Sequence, residues 1–137
     1  MSLLPVSTLI LYTPDRKILL QHRDSKTLRS PNTWGIFGGG IEDGETPKEA
    51  LKREIMEEIE YQVREPELIL TELHQIDGEA MTEYLFAEEY DGLQPIVLHE
   101  GQGFGWFMVE EALALPIAPH RRTVFKKLTS LLGWDAI

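Results

Sequence analysis

The chain has 137 residues, of which 42% are hydrophobic and 26% are charged, so we predict a single compact domain over residues 1–137. A net charge of -10 argues against a nucleic acid polymer as a partner, because binding a phosphate backbone requires positive charge. No apolar run reaches the roughly 20 residues of a membrane helix, and there is no cysteine for a disulfide or a thiolate metal site. We therefore expect no membrane partner and a cytoplasmic location.

The first half of the chain predicts a hairpin, a loop and a helix. The segments "STLILY" and "ILLQHR" favour strands on either side of the turn signal "TPDRK". "WGIF" is another short strand candidate, and we predict that Gly38-Gly39-Gly40 is a loop because glycine loses much backbone entropy in a strand or helix. In "TPKE", Thr46 suits an N-cap and Glu49 completes a capping box, so a helix should begin at Pro47.

Two faces of this predicted helix differ in character. One is an apolar stripe of residues that recur every four positions: Leu51, Ile55 and Ile59. On another face, Glu54 and Glu58 lie one turn apart with Glu57 beside them. Taken alone, such a group of carboxylates is most simply a solvated acidic face, since like charges at this spacing cost only about 0.2–0.5 kcal/mol per pair.

The second half of the chain predicts three strands and two helices. The strands are "LILTELHQI" and "EAMTEYLFAEEY" around the turn "DGE", then "GFGWFMV". "VEEALAL" is a short helix candidate, and one C-terminal amphipathic helix follows from its apolar positions: Val124, Phe125, Leu128, Leu131 and Leu132. These elements together indicate a mixed sheet with helices, of α+β or α/β character.

Fixed spacing connects the glycine run to the acidic helix face. Gly39, Glu45 and the segments Arg53-Glu54-Ile55 and Glu57-Glu58 form the pattern G-x5-E-x7-R-E-I-x-E-E. This pattern resembles the signature of the Nudix hydrolases, MutT-like members in particular. The resemblance implies the Nudix fold, an α/β sandwich of the α+β class in which a mixed β-sheet is flanked by helices.

The end of the signature departs from the family pattern. Glu60 and Tyr61 stand where the family has a glycine and an aliphatic residue. A left-handed backbone would cost Glu60 about 1 kcal/mol relative to glycine. We therefore expect either a different helix ending or local strain at this position.

The resemblance assigns roles to the signature residues. It implies that Glu54, Glu57 and Glu58 are catalytic metal ligands, joined by the backbone carbonyl of Gly38. Hard divalent cations prefer such oxygen ligands and neutralise phosphate charge, so the implied cofactor is Mg²⁺, with Mn²⁺ as a substitute.

Three further signature residues are implied to shape the site. A salt bridge between Arg53 and Glu45 would hold the loop against the helix, and Gly39 would let the backbone come close to the ions.

Other candidates lie outside the signature. "EGQGFGW" is similar to an "EGQ" segment of MutT-type members, which makes Glu100 a further metal ligand or the base that activates water. We assign Arg23, Trp34 and His120 to substrate binding. The segment "HRR" at 120–122 is predicted to be surface charge balance, with a phosphate contact as the alternative.

The implied reaction is Mg²⁺-dependent hydrolysis of the pyrophosphate linkage in a nucleoside diphosphate derivative, a small-molecule substrate. The segment "IDGE" at 76–79 lacks the proline of ADP-ribose members and the tyrosine of dinucleoside polyphosphate members, which favours nucleoside triphosphates. Hydrolysis of ADP-ribose, a nucleotide sugar or a dinucleoside polyphosphate is the alternative, and a non-catalytic nucleotide sensor is the alternative from another class. MutT-type members read oxidised guanine with an asparagine near the last helix, whereas this chain has Pro119 or His120 there. The resemblance also allows a homodimer.

Overall fold

The computed structural model describes residues 4–26 and 30–135. In this part of the chain the strands are β1 (Val6–Tyr12), β2 (Lys17–His22), β3 (Trp34–Gly35), β4 (Phe37–Gly40), β5 (Glu67–Ile76), β6 (Glu79–Glu89) and β7 (Gly103–Met108). The helices are α1 (Pro47–Ile59), α2 (Val109–Leu113), α3 (Pro119–Lys126) and α4 (Leu128–Leu131). Among the residues described, none of the helices is long and apolar enough to cross a membrane.

One mixed sheet contains all of these strands. Its main order is β3-β2-β1-β6-β5, with β4 also paired to β1 and β7 also paired to β2. β1 runs antiparallel to β2 and β4 but parallel to β6. The predicted hairpin at the start of the chain and the predicted pairing of β5 with β6 are both present.

Helices cover both faces of the sheet. Successive residues of a strand point to opposite faces, so neighbouring residues of β1 pack against different helices. Ile10 of β1 packs in the core that includes Val124 and Phe125 of α3. Its neighbour Leu9 packs in the second core, which includes the predicted stripe of α1: Leu51, Ile55 and Ile59. The prediction of an α/β sandwich is confirmed.

Helix α1 begins at Pro47 as predicted. The Thr46 hydroxyl accepts a hydrogen bond from the Glu49 N–H at 3.1 Å, and the Glu49 carboxylate accepts one from the Thr46 N–H at 2.9 Å. At the other end, Glu60 takes a left-handed backbone with φ 54° and ψ 32°, so local strain is the outcome at this position. Its carboxylate contacts the His99 ring, which joins the helix end to the segment before β7.

The prediction of a loop at residues 38–40 is wrong. These three glycines belong to β4, where Gly38 lies opposite Thr8 and Gly39 opposite Ser7 of β1. Pairing with β1 supplies the hydrogen bonds that offset the entropy lost by glycine. At Gly38 and Gly39, close neighbours leave no room for a side chain.

The prediction of one C-terminal amphipathic helix is also inaccurate. The apolar positions are buried or half-buried as expected, but the backbone leaves the helical region at Lys127, with φ -108° and ψ 7°. Two short helices, α3 and α4, therefore cover this face of the sheet instead of one.

Candidate active site

The glycine strand β4 lies against both β1 and α1. At Gly38, which has φ 149°, an added Cβ would lie 2.2 Å from the Ser7 carbonyl oxygen. Its N–H donates a hydrogen bond to Glu58 Oε1 at 2.9 Å. At Gly39, a Cβ would lie 2.3 Å from Cδ of Glu54. The absence of side chains at both positions therefore lets β4 pack directly against the carboxylates of α1.

Arg53 connects the segment after β4 to α1. Its Nε and Nη2 donate to the two carboxylate oxygens of Glu45 at 2.7 and 2.9 Å, and Nη2 also donates to the Gly40 carbonyl at 3.0 Å. Hydrogen bonding from Arg53 lowers the pKa of Glu45 to about 2, and the pKa of Arg53 is raised in return. This two-bond ion pair is the contact that the signature implied.

The same guanidinium reaches two of the candidate metal ligands. Arg53 Nη1 lies 2.9 Å from Glu54 Oε1 and 3.5 Å from Glu57 Oε1. The Glu54 side chain is 18% exposed and that of Glu57 is 58% exposed. Burial raises the pKa of Glu54, although the Arg53 contact opposes this effect.

Glu58 of α1 is buried, and it faces Glu100, which lies on the loop before β7. Burial first, and then the hydrogen bond to the Glu100 carboxyl and its charge, raise the pKa of Glu58 to about 9. The Gln21 side chain donates to the Glu100 carbonyl at 2.9 Å and fixes the loop beside β2. The fold thus brings Glu58 and Glu100, which are 42 positions apart in the sequence, into contact.

The chemistry of this donor set suits a hard divalent cation. Glu54, Glu57, Glu58 and Glu100 supply only carboxylate oxygens, and burial raises the pKa values of Glu54 and Glu58, so a bound cation would stabilise their charged forms. In residues 4–26 and 30–135, no group of three or more such side chains is already arranged as a cage for a cation.

A cavity of about 220 Å³ lies next to these carboxylates. The three residues assigned to substrate binding, Arg23, Trp34 and His120, all line it, together with Gly38 and Gly39. Other lining residues are Val6, Thr8, Ser30, Thr33, Gly35, Ile36, Ile76, Met81, Ala118 and Arg121.

Arg23 also borders a smaller recess that includes Glu100. It therefore lies between the cavity and the acidic group.

Aromatic and imidazole rings form part of the cavity wall. The Trp34 ring stacks on His22 at a centroid distance of 4.5 Å and meets the edge of Phe107 at 5.2 Å. The His120 ring lies 5.3 Å from that of His74. Burial and the positive charge of Arg121 lower the pKa of His120 to about 4, so this imidazole is neutral at pH 7.

A buried ionic network under the cavity was missed by the sequence reasoning. Glu83 of β6 is fully buried, and its Oε2 accepts hydrogen bonds from Thr8 Oγ1 at 2.5 Å and Arg121 Nη1 at 2.8 Å. Its Oε1 lies 2.8 Å from Nε2 of His74. Burial alone would raise the pKa of Glu83, but the Arg121 charge and these hydrogen bonds outweigh it and hold the pKa at about 2.

The network corrects one sequence prediction. Arg121 is not surface charge balance, since only 7% of it is exposed and it pairs with Glu83. A signal for Glu83 was present in the sequence, because Leu85 and Ala87 on the same face of β6 are core residues. A carboxylate on the inward face of a strand requires a buried partner, and that partner could have been sought.

Comparison with known proteins gives the family. The family model for the NUDIX domain matches residues 3–128. The CTP pyrophosphohydrolase of Escherichia coli (strain K12) is 29% identical over 106 residues, which cover 77% of this chain and 76% of that protein. The nucleoside triphosphatase NudI of the same strain is 51% identical over 43 residues, 31% of this chain and 27% of that protein. Among solved structures, a MutT protein from Methanosarcina mazei Go1 is similar with a TM-score of 0.82 and 17% identity, over 93% of both chains.

The matched range contains the whole signature and the segment around Glu100. The similarity to the MutT structure confirms the predicted fold. The chain therefore belongs to the Nudix hydrolase family.

Proposed function

We propose that the protein hydrolyses nucleoside triphosphates to a nucleoside monophosphate and pyrophosphate in a Mg²⁺-dependent reaction. The observation that carries the proposal is the double role of β4. Gly38 and Gly39 line the cavity, and the same two residues contact Glu58 and Glu54. A nucleoside in the cavity would therefore have its phosphates beside the carboxylates.

The protein's part of the reaction is binding and positioning. Trp34 offers an aromatic face to a base, and Arg23, at the border between the cavity and the Glu100 recess, offers positive charge to the phosphates. Glu54, Glu57, Glu58, Glu100 and the Gly38 carbonyl would hold Mg²⁺, which when bound neutralises charge on the phosphate oxygens. Mn²⁺ would suit the same oxygen donors.

The chemical step needs one proton acceptor. Water adds to phosphorus, the P–O bond of the α–β linkage breaks, and the proton of the water passes to a carboxylate while pyrophosphate leaves. Glu100 is the candidate acceptor, because it lies beside Glu58, whose raised pKa of about 9 leaves the Glu58 carboxyl protonated near neutral pH.

The choice of triphosphates is supported by the relatives. The alignment with the CTP pyrophosphohydrolase covers 76% of that protein, and the short match to NudI is to a nucleoside triphosphatase. The triphosphate therefore stands as the proposed substrate class.

A substrate screen tests the proposal. The purified chain is incubated with ribo- and deoxynucleoside triphosphates, ADP-ribose, a nucleotide sugar and a dinucleoside polyphosphate, each with Mg²⁺ or with EDTA, and products are separated by chromatography. We expect monophosphate and pyrophosphate from triphosphates with Mg²⁺ and none with EDTA. Turnover of ADP-ribose alone would refute the substrate class, and binding without turnover of any compound would favour a nucleotide sensor.

A further inference from the structure

The cavity wall contains a buried arginine that is only partly satisfied by protein. Arg121 lines the cavity and is 7% exposed. Its Nη1 donates to Glu83 at 2.8 Å. Among the residues that the structure describes, no hydrogen-bond partner is present for its Nε and Nη2. Neither nitrogen is a buried unpaired atom, so both keep access to solvent and are open to a ligand.

The pairing with Glu83 determines which edge of the guanidinium remains. Nε–H and one N–H of Nη2 lie side by side and parallel on the edge away from Nη1. Glu83 is itself fixed by Thr8 and His74, at 2.5 and 2.8 Å, so the guanidinium cannot turn freely. This leaves a fixed pair of adjacent donors on a residue that lines the cavity.

Adjacent donors select among the nucleobases. Guanine presents two neighbouring acceptors, O6 and N7, and arginine binds this pair with two hydrogen bonds. Cytosine also presents two neighbouring acceptors, N3 and O2. Uracil alternates acceptor, donor and acceptor, and adenine places a donating amino group beside N7, so neither offers the pair.

We propose that the Nε and Nη2 edge of Arg121, held in position by Glu83, makes the cavity selective for a base with two adjacent acceptors, cytosine or unmodified guanine. The inference rests on the proposed function, which places the nucleoside in this cavity. A volume of about 220 Å³ suits a single base, since pockets that enclose a drug-sized ligand are about 300–1,000 Å³. His120 also lines the cavity, but it is neutral at pH 7 because its pKa is lowered to about 4, so it adds no second positive charge beside the acceptors of the base.

The first experiment measures affinity without chemistry. Dissociation constants of CMP, GMP, UMP, AMP and 7-deaza-GMP are determined by calorimetry at pH 7.5 in EDTA. We expect CMP or GMP to bind at least about tenfold more tightly than both UMP and AMP. If GMP is preferred, 7-deaza-GMP should lose that preference because it lacks N7, whereas a preference for CMP alone identifies cytosine. Equal affinities for all four natural monophosphates would overturn the proposal.

The second experiment assigns the selectivity to Arg121. Arg121→Lys keeps a positive charge beside Glu83 but removes the pair of donors, so the preference should fall below about threefold while UMP affinity changes little. Arg122→Lys is the matched control, because Arg122 donates to the Leu113 carbonyl and is absent from the cavity wall. A preference that survives in Arg121→Lys would overturn the proposal. If this variant does not fold, the ranking and the 7-deaza-GMP arm of the wild-type protein decide.

Glu83 is a positioning residue in this scheme. Glu83→Gln should reduce the ratio of CMP or GMP affinity to UMP affinity, which a purely structural role would leave unchanged in the folded fraction. Failure of hydrolysis in the substrate screen would refute the proposed function without altering this affinity ranking. Hydrolysis of all triphosphates with a flat ranking would refute only the base selectivity.

Discussion

The backbone of Gly39 packs so closely on the Glu54 carboxylate that a Cβ at position 39 would lie 2.3 Å from Glu54 Cδ. Gly39→Ala should therefore displace the end of a flexible side chain and leave the rest of the structure in place. We expect kcat/KM to fall about 10- to 100-fold, with Tm changed by only a few degrees. Gly40→Ala is the control, because a Cβ there would meet Leu4 at an ordinary 3.6 Å. Similar activity in the two variants would contradict this account of Gly39.

The neighbouring glycine should respond differently. At Gly38 a Cβ would lie 2.2 Å from the Ser7 carbonyl oxygen and 2.7 Å from Thr8 Cα, both of them backbone atoms that cannot move aside. Gly38→Ala should therefore lower the free energy of unfolding by about 2–4 kcal/mol, since the φ of 149° is also unfavourable for alanine. Urea denaturation measures this loss, and a value below 1 kcal/mol would argue against the close pairing of β4 with β1.

The half-buried imidazole of His120 should make part of the stability dependent on pH. The pKa of His120 is lowered from 6.5 to about 4, so the folded protein binds fewer protons than the unfolded chain between these values. This contribution is fully present above pH 6.5 and is lost as the pH falls toward 4. The free energy of unfolding of the wild type, relative to that of His120→Gln, should fall by about 1–3 kcal/mol over that range.

The charged and titratable neighbours of His120 are the same in the wild type and in His120→Gln, so they cancel in the comparison. His74, Arg121, Glu83 and Arg23 all act on the ring, and they stay in both proteins. Urea denaturation at pH 7.5, 6.5, 5.5 and 4.5 gives the difference in the free energy of unfolding. Parallel curves for the two proteins would contradict the lowered pKa.

The left-handed residue at the end of α1 provides a test of local strain. Glu60 has φ 54°, a conformation that glycine adopts without cost, and its carboxylate contacts His99. Glu60→Ala removes the contact and keeps the strain, whereas Glu60→Gly removes both. Glu60→Gly should therefore exceed Glu60→Ala in free energy of unfolding by about 1 kcal/mol, measured by urea denaturation. Equal values would mean that the helix end relaxes.

The sequence predicted the parts of the site that local rules control. The capping box placed the start of α1 at Pro47, and helical spacing placed Glu54 and Glu58 on one face. Pairing of the glycine run with β1 could not be predicted, because it depends on residues about 30 positions earlier in the chain. Propensity disfavours glycine in strands, and tertiary contacts overrode it.

The buried network depended on long-range contacts in the same way. Glu83 and Arg121 are 38 positions apart and carry no shared motif, so only the fold reveals their pairing. Arg121 consequently looked like surface charge in the sequence. The sequence shows the departure from the family pattern at Glu60, but only the backbone angles distinguish strain from a new helix ending.

The central claim is that the carboxylates of α1 and Glu100 support Mg²⁺-dependent hydrolysis. Glu57 tests it most directly, because its side chain is 58% exposed and its replacement should not disturb the core. The control is Glu110→Gln, at an exposed position of α2 away from the cavity. With a nucleoside triphosphate and saturating Mg²⁺, we predict that kcat of Glu57→Gln falls at least about 100-fold at unchanged Tm, while Glu110→Gln keeps wild-type kcat. A Glu57→Gln protein with the kcat of the wild type would contradict the assignment.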